Sequence, residues 1–288
     1  MTPSLFTVPL PGREPLHLGA RTLLMGVLNI TPDSFADGGI HLDPETAIEA
    51  GLRMEADGAD IIDVGGESTR PGAEPLPADE ELRRVMPVVE RLAARLAIPI
   101  SIDTYKAEVA REAISAGAVI ANDISGLQFD PALGGVAAST GAALILMHTR
   151  GRSRGMYERA VYADLMSEVS AELAEAIARA EAAGVRREAI ILDPGVGFAK
   201  RAEHSIEILA RLEMLAGLDR PILAGPSRKS FLKAAIGDVM PAARDWGTAA
   251  AVTASVLSGA HIVRVHDVRA MRDVVRVADL IRDARARP

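Results

Sequence analysis

The sequence has no cysteine and few aromatic residues. Without cysteine, disulfide bonds, thiolate metal sites and cysteine nucleophiles are all excluded. Phe, Trp and Tyr make up 3% of the 288 residues, so Ala, Val, Leu and Ile must fill the core. That mixture is typical of parallel strands covered by alanine-rich helices.

Long apolar runs and an excess of basic residues are also missing. Gly, Asp or Arg interrupts every apolar stretch before it reaches the length of a membrane span, so we expect no membrane partner. Residues 1–21 lack a basic segment followed by an apolar run, which predicts a cytoplasmic protein without a secretory signal. The formal charge of −7 argues against a nucleic-acid partner, although a local basic site for an anionic substrate stays compatible with it.

The sequence does contain a strand–helix unit that recurs along the whole chain. Strands are predicted at 22–29, 59–64, 99–104, 119–123, 142–148, 189–193, 221–225 and 262–266, each followed by a helical segment. Eight such units close most economically as a single-domain α/β fold, the (β/α)8 TIM barrel. We therefore expect an N-terminal extension at 1–21, which could hold a short β-hairpin, and the barrel at 22–288.

A doubly wound open sheet is the alternative architecture. It usually carries a Gly-x-Gly-x-x-Gly turn after its first strand. Residues 29–32 read Asn-Ile-Thr-Pro instead, and no linker divides the chain into halves.

Polar residues close the predicted strands. They are Asn29, Asp63, Asp103, Asn122, His148, Asp193, Ser227 with Lys229, and Arg264 with His266. In a barrel the carboxyl ends of the strands meet at one mouth, where catalytic groups are placed. A single such residue could simply cap the next helix, but the whole set favours a shared site.

The acids and the amide in this set suit recognition better than nucleophilic attack. Asp103, Asn122 and Asp193 match a flat ring that has adjacent N–H donors and a carbonyl. Lys229 could donate a hydrogen bond to the same ring. A Schiff-base role for Lys229, as in barrel aldolases, is the alternative, but its loop position next to Arg228 disfavours that role.

The cations suggest an anion site. Arg70, Arg264 and His266, together with Asn29, could clamp a phosphate or diphosphate. The six histidines are scattered, so a zinc site is not supported. A magnesium ion held by one side-chain oxygen and by substrate phosphates would leave almost no trace in the sequence. The loops at 31–39 and 65–72 are predicted to be mobile lids.

Seven motifs, in order along the chain, resemble those of the dihydropteroate synthase family. They read NITPDSF (29–35), DVGGESTRPG (63–72), SIDT (101–104), NDISG (122–126), DPGVGF (193–198), SRKSF (227–231) and RVHDV (264–268). The resemblance runs from about residue 22 to 283, and seven motifs in register are far more specific than one.

The resemblance implies a transferase of folate biosynthesis. It would join 6-hydroxymethyl-7,8-dihydropterin diphosphate to p-aminobenzoate and release 7,8-dihydropteroate and pyrophosphate. The resemblance further implies Mg2+ as the cofactor, a homodimer, and competition by sulfonamides at the p-aminobenzoate site.

The resemblance also implies a role for each matched residue. The implied catalytic residues are Arg70, Lys229 and Asp103, and the implied metal or diphosphate ligand is Asn29. The implied substrate-binding residues are Asp63, Thr69, Asp103, Asn122, Met147, Asp193, Phe198, Lys229, Ser230, Arg264, Val265 and His266. Phe35 and Pro71 would help to shape the p-aminobenzoate site.

Two positions depart from the family pattern. Ala36 stands where serine is frequent, and Ala199 stands where glycine is frequent, which could change the loop after Asp193. Residues 149–159 do not map onto the pattern.

Two other functions remain open: a catalytically silent pterin-binding paralogue, and a pterin-dependent methyltransferase domain that works with a corrinoid partner. The joint presence of Asn29, the 31–35 loop, Arg70, Lys229 and Arg264 favours the synthase.

Overall fold

The computed structural model describes residues 3–31, 44–69, 72–152 and 154–285. The chain begins with an antiparallel hairpin of β1 (Phe6–Leu10) and β2 (Arg13–Leu18). Gly12 in the connecting turn has a φ of +63°, a left-handed conformation that glycine adopts without a steric penalty.

Eight parallel strands follow and form one sheet. They are β3 (Leu23–Asn29), β4 (Ile61–Gly65), β5 (Ile100–Asp103), β6 (Ile120–Asp123), β7 (Ala143–Met147), β8 (Ile190–Asp193), β9 (Leu223–Ala224) and β10 (Ile262–Val265). Their order is β8-β7-β6-β5-β4-β3-β10-β9. A parallel bridge between Leu192 and Ile222 joins the two edges, so the sheet closes on itself. The predicted TIM barrel is confirmed, and the open doubly wound sheet is excluded.

Helices surround the barrel. They are α1 (Pro44–Asp57), α2 (Ala78–Ala93), α3 (Ala107–Ser115), α4 (Ala132–Thr140), α5 (Leu165–Ala182), α6 (Ala202–Ala210), α7 (Lys233–Ile236), α8 (Asp245–Leu257) and α9 (Val268–Arg285). Helix α2 continues through Pro87 because Val85, Val89 and Leu92 form a fully buried stripe on one face. No helix among the described residues has both the length and the apolar character needed to cross a membrane.

The connections near the end of the barrel differ from the predicted pattern. The strand predicted at 221–225 is shortened to Leu223–Ala224. The reason is that Pro221 has no N–H for a ladder hydrogen bond. Only its carbonyl takes part, and it accepts from the Leu192 N–H at 2.9 Å. Helix α6 ends at Ala210 and is followed by a 3-10 helix, Leu212–Leu218.

The interior of the barrel is apolar toward the amino ends of its strands. The inward-facing side chains there include Met25, Ile61, Ile120, Ile145, Ile191, Leu223 and Ile262, which pack with Val8, Leu10, Leu16 and Leu18 of the hairpin. The hairpin therefore closes one end of the barrel. Because side chains alternate along a strand, the next inward positions lie two residues further on, at the open mouth.

Candidate active site

The alternation along the strands selects the side chains that point into the mouth. Two residues after an inward-facing isoleucine come Asp63 on β4, Asn122 on β6, Met147 on β7, Asp193 on β8 and Arg264 on β10. Asp103, at the end of β5, lies in register with Gly65 on β4 and Asn122 on β6. The fold thus assembles most of the predicted recognition set from six different strands.

Arg264 links two of the carboxylates. Its Nε donates to Asp63 Oδ2 and its Nη2 donates to Asp103 Oδ2, each at 2.6 Å. Asn122 Nδ2 donates to the same Asp63 oxygen at 2.9 Å. Gly65 leaves room for this arrangement, because a Cβ added there would lie 3.3 Å from Asp103 Cβ. The guanidinium is thus held inside the barrel by two acids rather than standing free at the mouth.

Burial sets the electrostatics of this group. Asp63 is 0% exposed and Asp103 is 8% exposed. Burial raises the pKa of Asp103 to about 7, although Arg264 beside it acts in the opposite direction. Burial disfavours the charge on Arg264, but Asp63 and Asp103 outweigh it and raise the Arg264 pKa above its ordinary value. The arginine therefore stays charged, while Asp103 can exchange a proton near neutral pH.

Lys229 lies on the loop after β9, beside the loop after β8. Its Nζ donates to the Val196 carbonyl at 2.6 Å and lies 4.6 Å from the centre of the Phe198 ring. Burial lowers the pKa of Lys229 to about 8, while the Asp193 carboxylate opposes that shift. Burial raises the pKa of Asp193, and Lys229 opposes it. A Cβ added at Gly225 would lie 3.7 Å from Lys229 Nζ and 3.8 Å from Arg264 Cβ, so Lys229 lies beside the Asp63–Arg264–Asp103 group.

The residue before Lys229 is held in an uncommon conformation. Arg228 has a φ of +58°, which is unfavourable for a residue with a Cβ. Its N–H donates to Thr248 Oγ1 at 3.0 Å, and its Nε donates to Asp245 Oδ1 at 2.8 Å. Arg244 Nη1 donates to the Arg228 carbonyl at 2.9 Å. The start of α8 therefore fixes the direction in which Lys229 leaves the backbone, a role that the sequence analysis did not assign to any of these residues.

A small apolar cluster lies next to the polar group. Tyr105, Ile124 and Met147 form its buried part, and Phe129 and Phe198 pack against it. This places Met147 and Phe198, both predicted substrate-binding residues, side by side. Ser230, also predicted, is exposed, and its Oγ lies 3.4 Å from the hydroxyl of Tyr157. Tyr157 belongs to the unmapped segment 149–159, which therefore reaches the site.

Other predicted residues lie in different surroundings. The Val265 side chain packs in the apolar layer between the barrel and the helices, because it is one residue out of phase with Arg264. His266 Nδ1 lies 3.0 Å from Ser227 Oγ. Asn29 is half-buried at the end of β3, in register with Gly65. Thr69 is also half-buried. Phe35, Ala36, Arg70 and Pro71 lie outside the described residues.

The predicted lid at 65–72 is fastened at its beginning. The Glu67 carboxylate forms an ion pair with Lys106, which also pairs with Glu81 of α2. The Glu67 carboxylate also accepts hydrogen bonds from the Tyr105 hydroxyl at 3.2 Å and from the Leu76 N–H at 3.2 Å. One carboxylate thus ties residue 67 to Leu76 and to the start of α3, so Glu67 belongs to the scaffold.

The comparison with known proteins places this site in a family. The family model for pterin-binding enzymes matches residues 25–266. The chain is 48% identical over 277 residues to the dihydropteroate synthase of Synechocystis sp., and the alignment covers 96% of each chain. The chain belongs to the pterin-binding enzyme family, among the dihydropteroate synthases.

Solved structures of the family agree with this assignment. The dihydropteroate synthase of Xanthomonas albilineans with 4-aminobenzoic acid has a TM-score of 0.89 at 41% identity and covers 99% of this chain and 100% of its own. The Yersinia pestis dihydropteroate synthase in a sulfonamide drug complex has a TM-score of 0.90 at 40% identity and covers 97% and 100%.

The departure at Ala199 from the family's frequent glycine has a structural counterpart. Ala199 has a φ of +47°, in the left-handed region where glycine avoids a clash with Cβ. The loop after Asp193 therefore keeps a glycine-like backbone although it carries an alanine. This requires other contacts to hold it in place.

Proposed function

We propose that the protein is a dihydropteroate synthase, which condenses 6-hydroxymethyl-7,8-dihydropterin diphosphate with p-aminobenzoate to give 7,8-dihydropteroate and pyrophosphate. The observation that carries this proposal is the buried group of Asp63, Arg264, Asp103 and Asn122 beside Asp193 and Lys229 at the barrel mouth. It is a dense array of donors and acceptors in a chain that is 48% identical to a dihydropteroate synthase.

The acids and the amide would recognise the pterin. Asp63 Oδ1 is buried and has no hydrogen-bond partner among the described residues, so it offers an acceptor to a ring N–H. Asp103 and Asp193 supply further carboxylate oxygens, and Lys229 supplies a donor for a ring nitrogen or carbonyl. Arg264 keeps Asp63 and Asp103 in one fixed orientation, which spares the cost of ordering them when substrate binds.

The same residues would assist the chemistry. When pyrophosphate leaves the CH2 group, positive charge develops on the pterin, and buried carboxylates stabilise such charge strongly because little water screens it. The amine of p-aminobenzoate then attacks the CH2 carbon. Met147 and Phe198 would give the aromatic amine an apolar surface next to that carbon.

The departing diphosphate calls for a magnesium ion, for which we propose Asn29 as the protein ligand. Among the described residues, no three His, Asp or Glu side chains cluster as a metal site. One amide oxygen at the end of β3 suits magnesium, which often keeps its waters and binds mainly to substrate phosphates. When bound, the ion would neutralise the charge that builds up on the leaving group.

The test is direct formation of product. The purified protein, the pterin diphosphate, p-aminobenzoate and Mg2+ are mixed, and 7,8-dihydropteroate is measured by chromatography. We expect product with Mg2+, and little after chelation with EDTA until Mg2+ is restored. A catalytically silent paralogue would bind the pterin diphosphate but form no dihydropteroate beside an active control enzyme, and that outcome would reject the proposal.

For Arg70 we propose contact with the leaving diphosphate. Arg70→Ala is expected to lower kcat far more than the affinity for the pterin, because a cation at the leaving group acts mainly in the transition state. Steady-state kinetics and calorimetric titration of the pterin diphosphate separate the two effects. Arg53→Ala on the exposed side of α1 is the matched control. Near-normal turnover in Arg70→Ala contradicts this role.

We also propose that the protein is a homodimer. Val277, Leu280 and Ile281 of α9 are 56%, 71% and 42% exposed, and their i, i+3, i+4 spacing puts them on one helix face. A contiguous exposed apolar face of this kind marks an association surface. In analytical ultracentrifugation, the wild type should sediment as a dimer and Leu280→Asp as a monomer. Leu5→Asp, at an equally exposed leucine far along the chain, should stay dimeric; a monomeric wild type overturns the proposal.

We place the enzyme in the cytoplasm. The reason is chemical: its proposed substrate carries a diphosphate, and a multiply charged small molecule stays in the compartment where it is made.

A further inference from the structure

Lys200 is a buried lysine that the proposed chemistry does not use. It follows the loop at 194–199 and is 1% exposed, which makes it the largest fully buried side chain of the described residues. No carboxylate within the described parts of the chain lies within ion-pair distance of its Nζ. Burial lowers the pKa of Lys200 to about 7, while the nearby Asp193 acts in the opposite direction. Burying an ammonium group without a direct counter-ion is costly, so its hydrogen bonds must hold it in place.

Three acceptors surround the ammonium group. Lys200 Nζ lies 2.7 Å from His148 Nδ1, and it donates to the Phe198 carbonyl at 3.0 Å and to the His148 carbonyl at 3.4 Å. Three acceptors match the three N–H groups of an ammonium. One of the carbonyls belongs to the loop at 194–199, so the lysine fastens that loop to the end of β7.

The histidine ring is oriented by its other nitrogen. His148 Nε2 lies 3.0 Å from Glu172 Oε2, and Arg150 Nε donates to Glu172 Oε1 at 3.0 Å. Burial lowers the pKa of His148 to about 4, and the nearby Lys200 acts in the same direction. A neutral ring that donates from Nε2 to Glu172 must accept at Nδ1, which suits the ammonium group of Lys200. Arg150, Glu172, His148 and Lys200 thus form one continuous chain from α5 to the site loop.

The loop needs this support because of its backbone. Gly195, Gly197 and Ala199 have φ values of +69°, +82° and +47°. A Cβ at Gly195 would lie 2.0 Å from the His148 carbonyl oxygen, so the loop presses directly on the end of β7. Gly195 and Gly197 adopt this left-handed conformation without a steric penalty, but Ala199 carries a Cβ, and a non-glycine residue with positive φ persists only where surrounding contacts fix it.

The loop at 194–199 also positions two side chains of the candidate site, Lys229 and Phe198. Its Val196 carbonyl accepts the 2.6 Å hydrogen bond from Lys229 Nζ, and its Phe198 ring faces that ammonium group at 4.6 Å. A shift of the loop would therefore move the acceptor of Lys229 and the aromatic wall together. We infer that Lys200, through His148 and Glu172, is a positioning residue that holds the loop at 194–199 in the conformation that places Phe198 and the Lys229 ammonium group for the reaction. This inference rests on the proposed function.

The test compares Lys200→Met with the wild type. Methionine fills most of the lysine volume but removes all three hydrogen bonds. We expect kcat/KM for p-aminobenzoate to fall by about 10- to 100-fold, the usual effect of misplacing reacting groups by an ångström or less. The Kd for the pterin diphosphate should rise by about 3- to 10-fold, the size of one hydrogen bond. The melting temperature should change little, because removal of a costly buried charge offsets the loss of the three hydrogen bonds.

That combination separates positioning from stabilisation. A Lys200→Met protein with a lower melting temperature and wild-type kinetic constants overturns the inference, and so do unchanged constants at unchanged stability. Lys233→Met, at a half-exposed lysine of α7, is the control and should change none of these quantities.

If Lys200→Met does not fold, Glu172→Leu removes the acceptor of the histidine from a partly exposed position. Glu172→Leu should show a smaller loss in the same direction, and wild-type constants in that variant also overturn the inference. Product formation by the wild type, measured first, tests the proposed function by itself.

Discussion

Arg264→Met is expected to abolish measurable synthesis and pterin binding. The substitution leaves Asp63 and Asp103 facing each other without the cation that now bridges them at 2.6 Å on both sides. Two buried carboxylates without a partner do not both stay ionised, so one takes up a proton and turns from acceptor to donor. The substitution therefore changes both the hydrogen-bond donors and acceptors offered to the pterin and the orientation of the two acids. For this reason we expect kcat/KM to fall by at least about 100-fold.

The stability of Arg264→Met should fall as well. Breaking a buried ion pair by removing one partner typically costs about 3–5 kcal/mol. Loss of activity could therefore reflect unfolding, and a matched control is needed. Arg282 is 2% exposed and bridges Asp279 at 2.7 Å and Asp283 at 3.1 Å, so Arg282→Met also removes a buried guanidinium from two carboxylates. Arg282 also donates to Thr22, the residue just before β3, which places it at the closed end of the barrel.

The two variants should differ in their binding of the pterin diphosphate. Urea unfolding is expected to show a lower stability for both proteins. Calorimetric titration with the pterin diphosphate should detect binding to Arg282→Met, with a Kd near that of the wild type, and none to Arg264→Met. Equal binding by both variants would show that the Asp63–Arg264–Asp103 group is only a structural ion pair.

The repeating strand–helix units are the reason that the barrel is predictable from the sequence. Each strand is a short apolar run with a polar residue near its carboxyl end, so eight repeats predict the architecture even where one strand boundary is wrong. The strand predicted at 221–225 was too long, because a run that begins with Pro221 loses a backbone donor. The closure of the sheet depends on one bridge, Leu192 to Ile222, which no local pattern reveals.

The inward direction of the acids of the site is also predictable from the local sequence. Asp63 and Asp193 each stand two residues after a buried isoleucine that faces the barrel interior, so the period of a strand is enough to direct them to the mouth. The motif around Arg264 also contains Val265, and the motif alone gave both residues the same role. The one-residue phase difference sends the Val265 side chain to the helix layer.

The contacts that hold the loops are not predictable in this way. Lys106 pairs with Glu67 and Glu81, and Lys200 contacts His148, which lies 52 residues earlier in the chain. Lys106 and Lys200 each look like an ordinary surface charge in the sequence, which is the better interpretation for most charged residues. Only the fold brings the partners together, so positioning residues become visible after the barrel is built.

Lys229→Met is expected to reduce kcat/KM for the pterin diphosphate by about 100-fold or more, since removal of one donor from a preorganised, poorly solvated site typically has an effect of that size. Asp193 also loses its nearest opposing charge, and its pKa, already raised by burial, rises further. Lys229→Arg keeps the charge but replaces a compact ammonium by a planar group, and it should recover only part of the activity. Wild-type kinetics in Lys229→Met would remove this lysine from the site.

The pH dependence of the same variants provides an independent test. Burial lowers the pKa of Lys229 to about 8, so its ammonium form is present below that pH and is lost above it. The ratio of kcat/KM between the wild type and Lys229→Met should therefore be largest below pH 8 and should shrink about tenfold for each further pH unit above it. Taking the ratio cancels the titration of the substrate. Arginine stays charged throughout this range, so Lys229→Arg should show no such alkaline decline, and a ratio that is constant up to pH 10 would contradict the role of the ammonium group.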